Sequence, residues 1–246
     1  MSQAKTQKLA NIPRIALIQA LGEIRGNVAV DRFAKAAQAF KAERFKEARS
    51  LLVPLANDAA NVADVRELYG LVCYRLRYFK AAIRELEAFR ILSGSVEQHP
   101  VLADCYRALR RWADVEALWK ELNSVLKAKS SEDIENHADT DDTTTSKSAT
   151  RSEQQRISSE ELLTEGRIVT AGARADRGDL ATAIAMLENN WKLPTKPQFR
   201  HLRQAYALAD FYDRAGRSPR ARELFSWVEA HNPHLADVTD RVRILS

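Results

Sequence analysis

Glycine, proline and cysteine are scarce in this sequence, whose 246 residues include 8, 7 and 2 of them, respectively. So few glycines and prolines argue against a β-rich protein with many tight turns. No glycine-rich phosphate loop, nucleophile elbow or H-E-x-x-H motif occurs, so we expect no cofactor and no enzyme activity. Two cysteines cannot form a disulfide scaffold, and we expect Cys73 and Cys105 to be small buried hydrophobic residues. The pair His231 and His234 offers two ligands, too few to predict a metal site.

Long hydrophobic runs and a strong excess of one charge are also missing. The longest early apolar run, residues 15–18, ends at Gln19 and is shorter than the core of a signal peptide. No uncharged stretch approaches the ~20 residues that span a bilayer, so we expect no membrane association and a cytoplasmic location. The 38 basic and 33 acidic residues give a net charge of +5, well below the imbalance of a dedicated nucleic-acid-binding protein.

Apolar residues recur with helical spacing. Ala48, Leu51, Leu52 and Leu55 lie at i, i+3, i+4 and i+7, which places them on one face of a helix. The same spacing recurs in two further sets: Val115, Leu118, Trp119 and Leu122, and Ala221, Leu224, Phe225 and Val228. No comparable alternating pattern typical of strands appears, so we predict an all-α fold.

The helical pattern also repeats along the chain. Phe45 is followed by Phe79 after 34 residues and by Trp112 after a further 33. Two more copies follow at Gly178 and Gly216, and five copies at a similar period indicate an internal repeat. Each copy has a small residue on its first predicted helix: Ala36, Gly70, Ala103, Ala171 and Ala209.

This pattern resembles the tetratricopeptide repeat, a unit of about 34 residues that forms a helix, a turn and a second helix. As in that family, large apolar residues follow the small residue of the second helix: Leu52, Leu86, Trp119, Leu187 and Phe225. Residues 101–109 and 166–174 are also similar to those of bacterial proteins of this type. The resemblance implies an α-solenoid of about five tetratricopeptide-like helical hairpins with flanking cap helices, in which small residues let paired helices approach closely.

The resemblance and the composition together predict five segments. Residues 1–28 form an N-terminal flank and cap helix, residues 29–126 hold three repeats, residues 157–233 hold two, and residues 234–246 form a C-terminal cap or tail. Residues 127–156 are an acidic, Ser/Thr-rich insertion, which we expect to be disordered because its few apolar residues cannot offset the entropy of ordering. One array could continue across this insertion, or two modules could be separate. The insertion could be a tolerated loop or a regulatory decoy for basic surface.

The resemblance implies that the first helices line a concave groove that binds a partner protein or peptide. The residues placed there are Phe33, Phe40, Lys41, Glu67, Tyr74, Arg75, Arg107, Tyr206, Asp210 and Asp213. Phe40 and Tyr74, beside Lys41 and Arg107, would suit an extended or helical peptide with acidic residues. The alternative is that Phe40 and Tyr74 pack in the core between repeats. The hypothesis for function is a non-catalytic scaffold or adaptor.

A second hypothesis is an association with RNA or DNA. A basic surface near aromatic residues suits phosphate contact combined with base stacking. The arginines that would form it are Arg77, Arg110, Arg111, Arg214 and Arg217. Acidic residues interleave with them throughout, a pattern that is also typical of a solvated helical surface. Nucleic-acid binding is therefore the alternative to protein or peptide binding.

Overall fold

The computed structural model describes residues 13–138 and 145–245 of the chain. Within those ranges it has twelve α-helices and no strand, which confirms the predicted all-α class. The chain divides into two compact units, and the division falls between Arg111 and Trp112. This point lies in the turn of the third predicted hairpin.

The first unit contains six helices. They are α1 (Arg14–Leu21), α2 (Glu23–Lys41), α3 (Phe45–Asp58), α4 (Ala63–Arg75), α5 (Phe79–Ser93) and α6 (His99–Ala108). Each helix packs against the next, and α4 also contacts α2 and α6, so neighbouring first helices touch directly. The core between them contains Leu17, Phe33, Leu52 and Leu68, each 2% exposed or less.

Small residues lie where paired helices cross in this unit, as the sequence pattern predicts. Ala36, Ala48 and Ala82 are fully buried. A Cβ atom added to Gly70 on α4 would lie 2.7 Å from both Cγ and Cδ2 of Leu86 on α5. Such a distance is too short for a real contact, so the close approach of α4 and α5 depends on glycine at this position.

The second unit contains the other six helices. They are α7 (Trp112–Ala138), α8 (Thr145–Asp176), α9 (Leu180–Glu188), α10 (Phe199–Arg214), α11 (Ser218–His231) and α12 (Val238–Ile244). Consecutive helices again pack together, and α8 also contacts α10. The guanidinium of Arg174 on α8 donates two hydrogen bonds to the carboxylate of Glu116 on α7, at 2.9 and 3.0 Å. Ala171, Ala183, Ala209 and Ala221 are fully buried in this unit.

Five of the turns between helices share one backbone conformation. In each of these turns, the residue two positions before the next helix begins has a positive φ. These residues are Glu43 (58°), Arg77 (62°), Arg110 (57°), Gly178 (90°) and Gly216 (71°). The following residue donates its backbone N–H to a carbonyl five residues earlier, as Tyr78 does to Cys73 at 2.9 Å. This is the Schellman arrangement, which satisfies carbonyl groups at the end of a helix. The sequence period thus coincides with a repeated turn geometry.

The structure differs from the disorder predicted for residues 127–156. Helix α7 continues to Ala138 and helix α8 begins at Thr145, while residues 139–144 lie outside the described residues. The prediction rested on the lack of apolar residues, but alanine, lysine, glutamate and glutamine favour helix without being buried. Extending an existing helix adds one hydrogen bond per residue and avoids the cost of a new nucleus.

Candidate functional site

Two aromatic residues assigned to the groove are core residues. Phe33 is 2% exposed and Phe40 is 5% exposed, and both belong to the core of the first unit. The ring of Phe40 packs edge-on against Phe45 of α3, with 5.6 Å between ring centroids. The assignment of Phe33 and Phe40 to a partner-binding surface is therefore corrected. Their places on α2 face a neighbouring helix, where burying an apolar ring is favourable.

Polar residues of α4 form hydrogen bonds with residues of α6 and of its N-cap in the same unit. The hydroxyl of Tyr74 donates to Oδ2 of Asp104 at 2.8 Å, and Nη1 of Arg107 lies 3.4 Å from Oδ1 of the same carboxylate. Nε2 of Gln98 donates to Oε1 of Glu67 at 2.7 Å. All five side chains are partly buried, and we call them the α4–α6 polar face. Of the residues that the sequence assigned to one groove, Tyr74 and Arg107 thus share the Asp104 carboxylate, while Glu67 forms a separate pair with Gln98.

Two further assigned cations lie in the first unit. Nη2 of Arg75 is 3.1 Å from Oε1 of Glu43, and its guanidinium carbon lies 4.3 Å from the centroid of the Phe45 ring. Lys41 is exposed at the end of α2. Arg75 therefore bridges the first and second predicted hairpins, while Lys41 is available to solvent.

The residues assigned to the groove in the second unit are bound by the C-terminal helix α12. The hydroxyl of Tyr206 donates to Asp237, next to α12, and the guanidinium of Arg241 contacts Asp210 and Asp213. Burial, together with the bond to the Asp237 carboxylate, raises the pKa of Tyr206. These α10 side chains therefore hold α12 in place, as the predicted C-terminal cap requires.

The arginines of the alternative basic surface have different environments. Arg77 and Arg110 are exposed at the positive-φ positions of two turns, and Arg214 lies 3.8 Å from Asp210 and 4.0 Å from Asp176. Arg111 and Arg217 cover aromatic rings of their own units, as described next. Base stacking requires an open aromatic face.

A three-residue contact recurs once in each unit. In the first unit, the hydroxyl of Tyr106 donates to Glu87 at 2.7 Å, and the guanidinium of Arg111 lies 4.4 Å from the Tyr106 ring. In the second unit, Tyr212 donates to Glu188, and the guanidinium of Arg217 lies 5.9 Å from the Tyr212 ring. The tyrosines are 5% and 3% exposed, so their rings are not open to a nucleobase.

We call this contact the Tyr–Glu–Arg clasp. Each tyrosine stands three residues after the small residue of its helix, Ala103 or Ala209, and each glutamate directly follows Leu86 or Leu187. Sequence reasoning missed the clasp. The available signal was that the tyrosine and the glutamate stand at the same distance from the repeat residues in both units. It joins the second helix of one hairpin to the first helix of the next.

A cavity rich in arginine lies between α3, α4 and α5. It has a volume of about 440 Å³, and Arg49, Arg66, Arg84, Glu85 and Tyr69 are among its lining residues. The Glu85 side chain is only 1% exposed. Nη1 of Arg66 lies 2.5 Å from Glu85 Oε2, and Nε of Arg84 donates to Oε1 at 2.8 Å.

Sequence reasoning did not identify these arginines as a group. The available signal was a charged residue within an apolar helical stripe. Ala82, Glu85, Leu86 and Phe89 lie at i, i+3, i+4 and i+7 of α5, and all four are buried. A glutamate at such a position requires positively charged partners, because burying an unpaired carboxylate is costly.

The cysteines have the environment predicted for them. Cys73 and Cys105 are fully buried and unpaired by disulfide. Burial raises the pKa of Cys73 to about 11 and that of Cys105 to about 12, so both thiols stay protonated at neutral pH. In the part of the chain that the structure describes, no group of three or more His, Cys, Asp or Glu side chains is arranged to hold a metal ion.

No protein-family model, curated protein or solved structure matches this chain. Across the described helices, none combines the length and the apolar character needed to cross a membrane. Function is therefore inferred from the residues and their geometry.

Proposed function

We propose that the protein is a non-catalytic scaffold built from tetratricopeptide-like hairpins, and that its α4–α6 polar face binds a partner protein or peptide. The observation that carries this proposal is the polar face itself, two partly buried hydrogen-bonded groups that each join the first helices of two successive hairpins. In a stacked helical repeat, such residues from neighbouring units form one continuous binding surface. The proposal concerns the first unit only.

Three features support the repeat architecture within this proposal. The first helices of successive hairpins contact one another directly: α2 contacts α4, α4 contacts α6, and α8 contacts α10. The five turns share one positive-φ geometry. The Tyr–Glu–Arg clasp joins neighbouring hairpins at the same offsets in both units. Packing of α7 on α8 also supports a succession of neighbouring helices on the two sides of residues 139–144.

The charges near the polar face suggest the chemistry of the partner. Lys41 is exposed, and Arg75 and Arg107 keep side-chain exposures of 32% and 31% while they contact carboxylates of their own unit. A ligand carboxylate could add to these contacts, since a guanidinium has five N–H donors. Tyr74 offers a ring edge beside them. An acidic peptide segment with one apolar side chain fits this combination.

We do not extend the proposal to nucleic acid. Two of the five arginines of the alternative surface cover buried tyrosines, and Arg214 lies near two aspartates. Phosphate contact by the remaining Arg77 and Arg110 would supply few of the charges that nucleic-acid affinity requires.

The experiment is affinity capture from the native cell extract with three versions of the full chain. Arg107→Gln removes a cation from the polar face, and Arg110→Gln makes the same change in the adjacent turn, outside that face. We expect at least one partner to be retained by wild type and by Arg110→Gln and to be reduced about tenfold by Arg107→Gln, as for loss of a charged hydrogen bond. Partners retained equally by all three versions would contradict the proposed face.

A further inference from the structure

We propose that the arginine-rich cavity between α3, α4 and α5 is a binding site for a phosphate group. Its lining residues are different from those of the α4–α6 polar face, so this site would be additional to the proposed partner surface. Three guanidinium groups, from Arg49, Arg66 and Arg84, line the cavity together with a single carboxylate, that of Glu85. The cavity therefore has two positive charges in excess.

The geometry of Glu85 explains how the cavity is organised. Its buried carboxylate binds Arg66 through Oε2 and Arg84 through Oε1, and Nε of Arg66 also donates to the carbonyl of Ala60 at 2.9 Å. Arg66 is held with a side-chain exposure of 16%, whereas Arg84 keeps 68%. Glu85 is thus a positioning residue that orders two guanidinium groups before any ligand arrives, which lowers the entropy cost of binding.

Arg49 supplies the charge that Glu85 does not balance. Its guanidinium lies 5.5 Å from the centroid of the Tyr78 ring and forms no ion pair with any other residue that the structure describes. An anion binding in the cavity would give this guanidinium a charged hydrogen-bond partner beside the two that Glu85 holds.

Charge favours phosphate over a simple carboxylate, and the guanidinium geometry suits it. A phosphate monoester has a charge of about −1.5 to −2 at pH 7, close to the excess of two positive charges in the cavity. Its oxygens accept paired hydrogen bonds from planar guanidinium groups. The volume of about 440 Å³ is within the range of small-molecule sites, so it can hold a phosphate together with the group that bears it.

The test is isothermal titration of the full chain at fixed ionic strength with four probes. Inorganic phosphate and a pentapeptide with a central phosphoserine carry the proposed group, and the same peptide with serine lacks it. A 12-nucleotide oligothymidylate tests backbone phosphodiesters. We expect saturable binding of at least one of the first two probes and none of the serine peptide. Phosphate binding as tightly as the phosphopeptide would indicate a small-molecule ligand, and tighter binding of the phosphopeptide would indicate a phosphorylated side chain.

Three variants assign the binding to the cavity. Arg49→Gln should weaken the binding by about tenfold or more, since it removes a charge-assisted contact. Arg32→Gln on α2 makes the same change outside the cavity and should leave affinity unchanged. Glu85→Gln should weaken phosphate binding several-fold, because an amide has one acceptor oxygen and cannot hold both guanidinium groups as the carboxylate does.

General electrostatic attraction would weaken equally in Arg49→Gln and Arg32→Gln and would strengthen in Glu85→Gln, so weaker binding by Arg49→Gln and Glu85→Gln alone distinguishes an ordered site from it. Arg49 is exposed, so its variant tests the site even if Glu85→Gln unfolds, which circular dichroism would reveal. The proposal is overturned if neither phosphate probe binds saturably, if Arg49→Gln and Arg32→Gln weaken binding equally, or if only the oligothymidylate binds. Each of these outcomes is independent of the capture experiment on the α4–α6 polar face.

Discussion

Replacing Gly70 by alanine tests the close helix crossing on which the first unit depends. The new Cβ would lie 2.7 Å from two side-chain carbons of Leu86 and 3.3 Å from its backbone nitrogen. Leu86 is fully buried, so its side chain has little room to move away. The perturbation is therefore overpacking at one defined contact between α4 and α5.

The magnitude follows from two opposing effects. Overpacking a core costs about 1–3 kcal/mol, whereas replacing glycine by alanine within a helix gains about 1 kcal/mol. We expect Gly70→Ala to lower the free energy of unfolding by about 1 kcal/mol. Leu86→Ala alone should cost about 2–5 kcal/mol through the cavity that it leaves. In the double variant the clash is gone and the methyl group introduced on α4 partly fills that cavity, so we expect a favourable coupling of about 1–2 kcal/mol.

The assay is urea unfolding followed by circular dichroism, applied to both single variants and the double variant. Gly94→Ala serves as the additivity control: its added Cβ meets no atom within 4 Å, so its cost comes from the left-handed backbone (φ 64°) and not from packing against Leu86. It is eight residues along the chain from Leu86, a distance of about 12 Å, so its effect should add to that of Leu86→Ala. Additivity within about 0.5 kcal/mol for the Gly70 and Leu86 pair would refute the idea that this glycine is needed for the helix crossing.

Three further predictions follow from the turns, the clasp and the buried thiols. Arg77→Gly should raise the free energy of unfolding by about 0.5 kcal/mol. It relieves left-handed backbone strain of about 1–2 kcal/mol, and it costs about 0.5–1 kcal/mol in chain entropy. A loss of stability in urea unfolding would contradict this. Tyr212→Phe should cost about 1–2 kcal/mol at pH 7 by leaving Glu188 without its phenol donor. Burial and the bond to Glu188 raise the pKa of Tyr212, so this contribution should be complete below pH 10 and disappear as the pH rises through the raised pKa, which stability measurements across that range would show. Cys73 and Cys105 should react with a thiol reagent at pH 8 only when the protein unfolds, and rapid labelling of the native protein would show that they are not buried.

The partner surface could be predicted only in part from the sequence. Glu67, Tyr74 and Arg107 were predicted to share one surface. Asp104 contacts both Tyr74 and Arg107, and Glu67 pairs separately with Gln98. Helical spacing identifies which residues share a face. Where that face is polar, the spacing is enough to predict an accessible surface. It does not decide how far a face is covered by the next helix, so Phe33 and Phe40 could not be distinguished from exposed residues by spacing.

The arginine-rich cavity shows a different limit of sequence reasoning. Arg49, Arg66 and Arg84 are separated by 17 and 18 residues and belong to three helices. Any one of them is an ordinary surface residue in a local pattern. Only the packing of α3, α4 and α5 brings them to one cavity, and Glu85 can be buried only when Arg66 and Arg84 are in place.

The sequence by itself determined the all-α class and the positions of the small residues that let helices cross. Both depend on short-range physics: the 3.6-residue period of a helix, and the space that a residue such as Gly70 or Ala82 leaves for its neighbour. Tertiary structure decided which polar side chains meet, as in the Tyr–Glu–Arg clasp and the contacts of α12 with Asp210 and Asp213. Those contacts join residues far apart in the chain, and their partners are set by helix packing that no local pattern encodes.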